Sequence, residues 1–538
     1  MARPSSPTPA GPDAVDRPAD RTAMRPVVAA AVSPRRGAEL AMLAFAALLT
    51  TGALVLVEAN QQQRLTLPLL YLGLAFLGAY GVAHVTVRLC APYADPLLLP
   101  CVALLNGLGL VMIHRIDLAR IARAVGRGDP ELPGQDALKQ VGWVAAGIVL
   151  FVAVLFCVRD HRTLSRFGYT AGFVGLVLLV LPAVLPSALS EVNGAKIWVR
   201  VGPVGLQPGE FAKILLVIFF ASFLVTKRDV FTTAGKRFLG MTFPRPRDLG
   251  PLLVAWGVSM GVLVFESDLG TSLMFFGIVL SMIYVATERS SWVIVGLAFF
   301  AAGAFTAWTF VSRVQLRVEV WLHPLGDTAN TSYQVSQGLF GLATGGVGGT
   351  GLGAGRPDLV PLSSTDFIIT SMGEELGLVG LAGLFLLYFL VSARALRTAL
   401  AVRDTFGKLL AAGLGFTIAI QVFVVAGGVI GLIPNTGQAA PFMSYGGSSL
   451  VANYALVALV LRVSDAARRP ATERSGPAAG PAAPLAPLAE AHTEMVPQDR
   501  GRAGTATPPH GSAPPGAAAG GRPPGPAGAP LRGRTRGE

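Results

Sequence analysis

A 538-residue chain that is 52% hydrophobic, only 14% charged and of mean hydropathy +0.57 does not read as a water-soluble globule, which would carry far more charge. Its net charge of +12 is no nucleic-acid signal, because Lys and Arg lie mostly in short loops and tails, where positive-inside bias and anionic headgroups account for them. Repeated apolar segments of about 20 residues, without the short alternation of barrel strands, indicate an all-α polytopic membrane protein.

In chain order, residues 1–37 form a Pro-rich, Arg-bearing stretch, expected to be a disordered cytoplasmic tail and not a cleavable signal. Twelve spans are expected, at 38–57, 67–88, 96–113, 140–157, 168–188, 208–226, 250–266, 271–287, 290–310, 367–393, 409–430 and 446–463. Together they make a membrane domain over 38–464 with both termini on one side. The basic loops 159–166, 227–248 and 393–408 fall on that side, which the positive-inside rule assigns to the cytoplasm. The loop 114–139 disagrees, since it carries several arginines on the other side; an amphipathic surface stretch is the plain explanation. Cys90, Cys101 and Cys157 show no metal or disulfide spacing and are expected in core packing.

Three outer segments stand out: 190–210, the turn FESDLG (265–270), and a large extracellular loop over 311–366. The loop's GGVGGTGLGAG has no Walker lysine and follows no Rossmann strand, so nucleotide binding is rejected. Residues 465–538, rich in Pro, Ala and Gly, are expected to be a disordered cytoplasmic tail.

The polar candidates converge on the outer side. Glu210 and Lys213 are three residues apart at a helix start opened by Pro208, so they share a face as a local ion pair or as part of a cavity. Asp268 fits a helix cap at least as well as chemistry. Asp366 precedes an apolar run and is either a cap or a functional carboxylate. Glu374 and Glu375 follow one or two turns deeper, where at least one must face protein. Ser444 and Ser448, in SYGGSS, fit close helix approach or a broken helix start. A carboxylate beside a lysine in such a cavity fits proton acceptance from a hydroxyl and, equally, proton movement in a transporter.

The blocks NGAKIWVRVGPVGLQPGEFAKI (193–214), ESDLGTSL (266–273), STDFIITSMGEELGLVG (364–380) and PNTGQAAPFMSYGGSSLVANY (434–454) together resemble the SEDS family of bacterial cell-wall proteins, which includes RodA, FtsW and SpoVE. The resemblance spans roughly 40–464. It implies a peptidoglycan glycosyltransferase that polymerises lipid II into β-1,4 glycan on the outer face of the cytoplasmic membrane, for elongation or division. Asp366 matches the family's proposed catalytic aspartate, with DFII in place of a DFIF-like motif. Glu210 and Lys213 match the acid and base of QPSE-x-x-K, with Gly209 where serine is usual, and Asp268 matches the DLGT aspartate.

On this reading Asp366 takes the proton of the acceptor's 4-hydroxyl. Lys213, Arg317 or Arg356 stabilises the leaving diphosphate, with a divalent cation (Mg or Mn) allowed as helper. Asp268, Arg317, Arg356, Ser444 and Ser448 are substrate-binding or structural, and Glu374 and Glu375 support the cavity. Expected partners are lipid II, an undecaprenyl-diphosphate-linked glycan, membrane lipids and a class B penicillin-binding transpeptidase, for which this chain has no domain of its own. Family members commonly have ten spans, so an extra pair is expected before residue 190. The last block and that pair favour the RodA branch. A lipid II flippase and a non-catalytic scaffold are the alternatives.

Overall fold

The computed structural model describes residues 35–61, 67–129, 133–192, 194–202, 204–227, 237–238, 241–242, 250–266 and 268–470. All lie in the unit Met1–Ser475. The expected tails fall outside the described residues apart from their edges, where helix already begins at Arg36 and continues to Arg468. Most of the 227–248 loop also lies outside them.

Each expected apolar segment is a helix. They are α1 (Arg36–Asn60), α2 (Leu67–Cys90), α3 (Leu98–Arg127), α4 (Asp136–Cys157), α5 (Gly168–Val184), α6 (Pro208–Thr226), α7 (Gly250–Glu266), α8 (Leu269–Thr287) and α9 (Ser290–Phe310). The segment 311–366 is not a plain loop, since it holds α10 (Ser312–Leu322), α11 (Tyr333–Gly345) and a 3-10 turn at Pro357–Leu359. Three long helices follow: α12 (Ile368–Ala401), α13 (Thr405–Val429) and α14 (Gly447–Arg468). Among the described residues ten helices are long and apolar enough to cross a membrane, whereas twelve spans were expected; α5 and α7 have 17 residues each. The strands are confined to short antiparallel hairpins, including Val199–Val201 with Val204–Leu206.

The helices start and stop for local reasons. Pro208 opens α6 where no backbone donor is needed, Asp268 caps α8 by accepting from Thr271 N at 3.1 Å, and Asp404 caps α13 through Gly407 N at 2.6 Å. The helices α14 and α3 form the centre, with 83% and 78% of their apolar windows buried against 17% for the peripheral α9. Cys101 is buried as expected, but Cys157 is exposed.

Two features alter the sequence reading. First, the arginine-bearing stretch after residue 113 continues α3 to Arg127, and three of its arginines are paired. Arg115 binds Glu375 at 2.9 Å, Arg120 binds Asp136 at 3.1 Å and Arg123 binds Asp358 at 3.3 Å. A count of loop charge misreads arginines that neutralise carboxylates from other elements.

Second, α12 breaks at Gly377 (φ 66°, ψ −170°), a conformation that favours glycine. The break frees Glu374 O and Glu375 O, which accept from Thr350 N and Gly351 N at 3.0 Å each. Leu378 N and Val379 N turn instead to Gly346 O and Val347 O, at 3.0 and 3.2 Å. The glycine-rich segment is thus a strap that exchanges four backbone bonds with the broken helix. A Cβ at Gly349 would collide with the Glu375 carbonyl. Its glycines serve close approach.

Candidate active site

The segment 430–446 runs between α13 and α14 without helix, at the end of the bundle where residues 351–366 also lie. Irregular backbone inside a membrane protein needs partners for its carbonyls, and single polar side chains from four helices and α10 supply them for six carbonyls of this segment. Arg317 Nη1 donates to Asn435 O and Thr436 O at 3.0 and 2.8 Å, and Gln421 Nε2 to Ala439 O at 2.9 Å. Tyr388 OH donates to Pro441 O at 2.7 Å, Asn106 Nδ2 to Phe442 O at 2.9 Å and Gln140 Nε2 to Ser444 O at 3.2 Å. Phe442 itself has φ 64°, a strained value for a bulky residue that these bonds hold in place.

That segment is tied to the approach to Asp366. Ser444 Oγ donates to Thr365 O at 2.6 Å and Tyr445 N to Ser364 O at 2.7 Å. Asp366 does not cap α12, whose N-cap is Phe367 without a side-chain bond. Its carboxylate is left for the cavity, which has a volume of about 1220 Å³. Asp268, Arg317, Asp366, Gly437, Gln438 and Ser448 are among its lining residues.

Gly437 (φ +72°) sits between the two charges: a Cβ there would lie 3.5 Å from Asp366 Oδ2 and 3.6 Å from Arg317 Nη2. Burial pushes the Asp366 carboxyl up to about 6, against the Arg317 charge and the Thr365 hydroxyl and with help from Asp268. Burial likewise pulls Arg317 below its ordinary value, opposed by Asp268 and Asp366. The cations on the lining are Lys139, Arg200, Arg313 and Arg317, against the acids Asp268 and Asp366. The surplus suits an anionic ligand.

The other expected residues occupy different places. Asp268 both caps α8 and takes Gln438 Nε2 at 3.2 and 3.3 Å. Glu210 and Lys213 are paired and buried, and they line a smaller recess that shares Gln207 and Gln438 with the main cavity. Lys213 Nζ reaches Gln421 Oε1 at 2.9 Å. Through Gln421 the pair therefore braces the Ala439 carbonyl from behind. Ser448 Oγ accepts from Gln207 N at 3.1 Å. Arg356 is exposed, bound to Asp358 at 3.2 Å and absent from the lining. Glu375 accepts from Gly353 N at 2.9 Å and Glu374 from Arg356 N at 2.6 Å, so both carboxylates anchor the strap and neither lines the cavity.

Sequence reasoning missed Asn106, Gln140, Tyr388, Gln421, Lys139 and Trp143. A lone polar residue in an apolar span was the available signal for the first four. Lys139 and Trp143 lie four apart on α4 and both line the cavity, with the indole packed where Gly447 has no side chain.

The sequence profile of the cell cycle protein family FTSW_RODA_SPOVE matches residues 96–469, more than half the chain. The chain belongs to this family. Within it, the "Peptidoglycan glycosyltransferase RodA" of Mycobacterium tuberculosis is 56% identical over 440 residues, covering 82% of this chain and 92% of that protein. The protein of the same name from Mycobacterium leprae is 51% identical over 482 residues, covering 88% and 99%. A "Probable peptidoglycan glycosyltransferase FtsW" from Trichlorobacter lovleyi is 32% identical, covering 69% and 93%. Among solved structures, a chain described under "Structural coordination of polymerization and crosslinking by a peptidoglycan synthase complex" is similar at a TM-score of 0.53 and 27% identity, covering 69% of this chain and 97% of that one. The branch reading agrees: the reported RodA relatives are more similar than the FtsW relative.

Proposed function

We infer that this membrane protein is a peptidoglycan glycosyltransferase that polymerises lipid II, and that Asp366 is its base. The observation that carries the role of Asp366 is its position: a half-buried carboxylate and the Arg317 guanidinium face each other across Gly437 in a cation-rich cavity. The relatives named for this activity support the reaction class.

Asp366 takes the proton from the acceptor's 4-hydroxyl. The oxygen attacks the anomeric carbon of the donor, the bond from that carbon to the diphosphate oxygen breaks, and undecaprenyl diphosphate leaves with the electron pair. One displacement on an α-linked donor gives the β-linkage. Arg317, beside the base, stabilises the departing charge, and Lys139 and Arg313 add to the positive field. Glu210 and Lys213 position Ala439 through Gln421 and touch neither substrate.

Among the described residues the chain offers no closed carboxylate site that would hold a divalent cation by itself. Among the described residues no three His, Cys, Asp or Glu side chains converge, and Asp268 is engaged by Thr271 and Gln438. No step is assigned to a metal.

On the same reading the cavity opens on the outer face of the cytoplasmic membrane and both termini are cytoplasmic, as the basic loops indicate. A class B penicillin-binding transpeptidase is the partner, in keeping with the synthase complex that contains the similar chain. The elongation branch fits the RodA relatives.

The test is reconstitution with that partner and labelled lipid II. Polymer on a gel with wild type, and none with Asp366→Asn of normal fold and partner binding, is the expected result. Polymer from Asp366→Asn would overturn the assignment of the base. Lipid movement without polymer would favour a flippase, and partner recruitment without either would leave a scaffold.

A further inference from the structure

Residues before 96 lie outside the matched family segment, and α1 and α2 stand there. Helices added only for anchorage would meet the bundle through apolar contacts. The C-terminal end of α1 is polar and points its donors at one target. Asn60 Nδ2 donates to Leu352 O at 2.7 Å and Gln61 Nε2 to Gly353 O at 2.5 Å. One turn earlier, buried Glu58 bonds His114 Nε2 on α3 at 2.9 Å. The approach is close, since a Cβ at Gly353 would lie 3.0 Å from Asn60 Cβ and 3.2 Å from Val57 O.

The gripped residues belong to the strap around the Gly377 break. Gly353 N donates to Glu375 Oε2 at 2.9 Å, while Arg115, the neighbour of His114, holds Glu375 Oε1 at 2.9 Å and Gly355 O at 2.6 Å. Beyond Gly355 the chain passes through the 3-10 turn at Pro357–Leu359 and a further turn to Asp366, with α3 pinning it twice more. Arg123 binds Asp358 at 3.3 Å, and Arg120 Nη2 donates to Ser364 Oγ at 3.3 Å. The strap and the lead into Asp366 therefore lie between α3 on one side and α1 at the upstream end. Without α1 the carbonyls of Leu352 and Gly353 would lose these donors, and the strap would be held only by its bonds to α12 and α3.

We propose that α1 is a positioning element for the reaction: Asn60 and Gln61 fix the strap at Leu352–Gly353, and residues 353–366 carry that constraint to Asp366. Neither side chain touches the cavity lining. The activity arm of the test rests on the glycosyltransferase reading; the exchange arm does not.

The experiment uses the full-length protein in nanodiscs with its partner, comparing wild type, the double variant Asn60→Ala with Gln61→Ala, and Asn60→Gln, which keeps a donor. Amide hydrogen exchange over 351–366 is expected to rise about tenfold in the double variant while α13 and α14 stay protected. The maximal polymerisation rate is expected to fall about tenfold with KM for lipid II unchanged, and Asn60→Gln to retain most of the rate. If the double variant does not fold, Gln61→Ala alone is read by the same two measurements. Unchanged exchange over 351–366 overturns the proposal, as does raised exchange with an unchanged rate. If wild type forms no polymer under conditions where its partner is active, the glycosyltransferase reading fails, and exchange alone decides whether α1 holds the strap.

Discussion

The two ends of the helical bundle treat buried carboxylates in opposite ways. At the end away from the cavity, Asp95 is held by Arg394 at 2.8 Å and Arg468 at 2.5 Å, and Asp404 by His161 at 3.0 Å, Arg162 at 3.3 Å and the Gly407 amide. Burial raises the Asp404 carboxyl, but the bonds from His161 and Gly407 and the charges of His161 and Arg162 outweigh it and bring it down to about 2. At the cavity end, Arg317 gives its Nη1 to two backbone carbonyls and approaches Asp366 only across Gly437. Burial therefore dominates, and that carboxyl rises to about 6. A carboxylate tied by direct bonds is a clamp; one facing a cavity near a cation is suited to take a proton.

The contrast is broken or sharpened by substitution. The largest effect is expected for Asp366→Asn, which should lower the glycan polymerisation rate by about 10²–10⁴-fold. Its counterpart Asp404→Asn should leave that rate within about twofold and lower thermal stability by roughly 1 kcal/mol through the lost charge opposite His161 and Arg162, since asparagine keeps the cap. Equal effects on rate from the two would remove the distinction. Next, Arg317→Ala should cost about 10–100-fold in rate, with Arg317→Lys recovering only part, because a lysine cannot bridge two carbonyls and still face the cavity.

Stability should also separate the ends by pH. The contribution of Asp404 is fully present above the ordinary carboxyl value of 3.8 and lost as pH falls through about 2. Asp366 has the opposite sign. The fold binds its proton more tightly than the unfolded chain does, so its contribution declines as pH rises from about 4 to about 6. Thermal melts of Asp404→Asn and Asp366→Asn from about pH 2 to about pH 6 check both signs. The smallest effect is expected for Lys139→Gln, a threefold or so rise in KM for lipid II with little change in maximal rate, in keeping with a field contribution partly answered by Asp136 at 3.2 Å.

The helices were legible because hydropathy reports backbone satisfaction in lipid directly: every apolar segment became a helix, although among the described residues ten rather than twelve meet the length and apolarity expected of a span. Asp366 and Asp268 were legible through local motifs, and both line the cavity. What the motifs did not convey was which charges meet. Lys213 looked like a diphosphate ligand until its partners Glu210 and Gln421 placed it behind the wall. Glu374 and Glu375 looked like cavity support, yet their oxygens hold the strap. Asn106, Gln140 and Tyr388 carried no motif, because each acts on a carbonyl brought near only by the fold.

The most direct test is the pH dependence of single-turnover glycan transfer by wild type and Arg317→Gln. If Asp366 is the base, the wild-type rate falls below an apparent pKa near 6, and removing the Arg317 charge moves that value upward. A rate that does not depend on pH between about 5 and 8, or a midpoint unmoved by Arg317→Gln, would contradict the account.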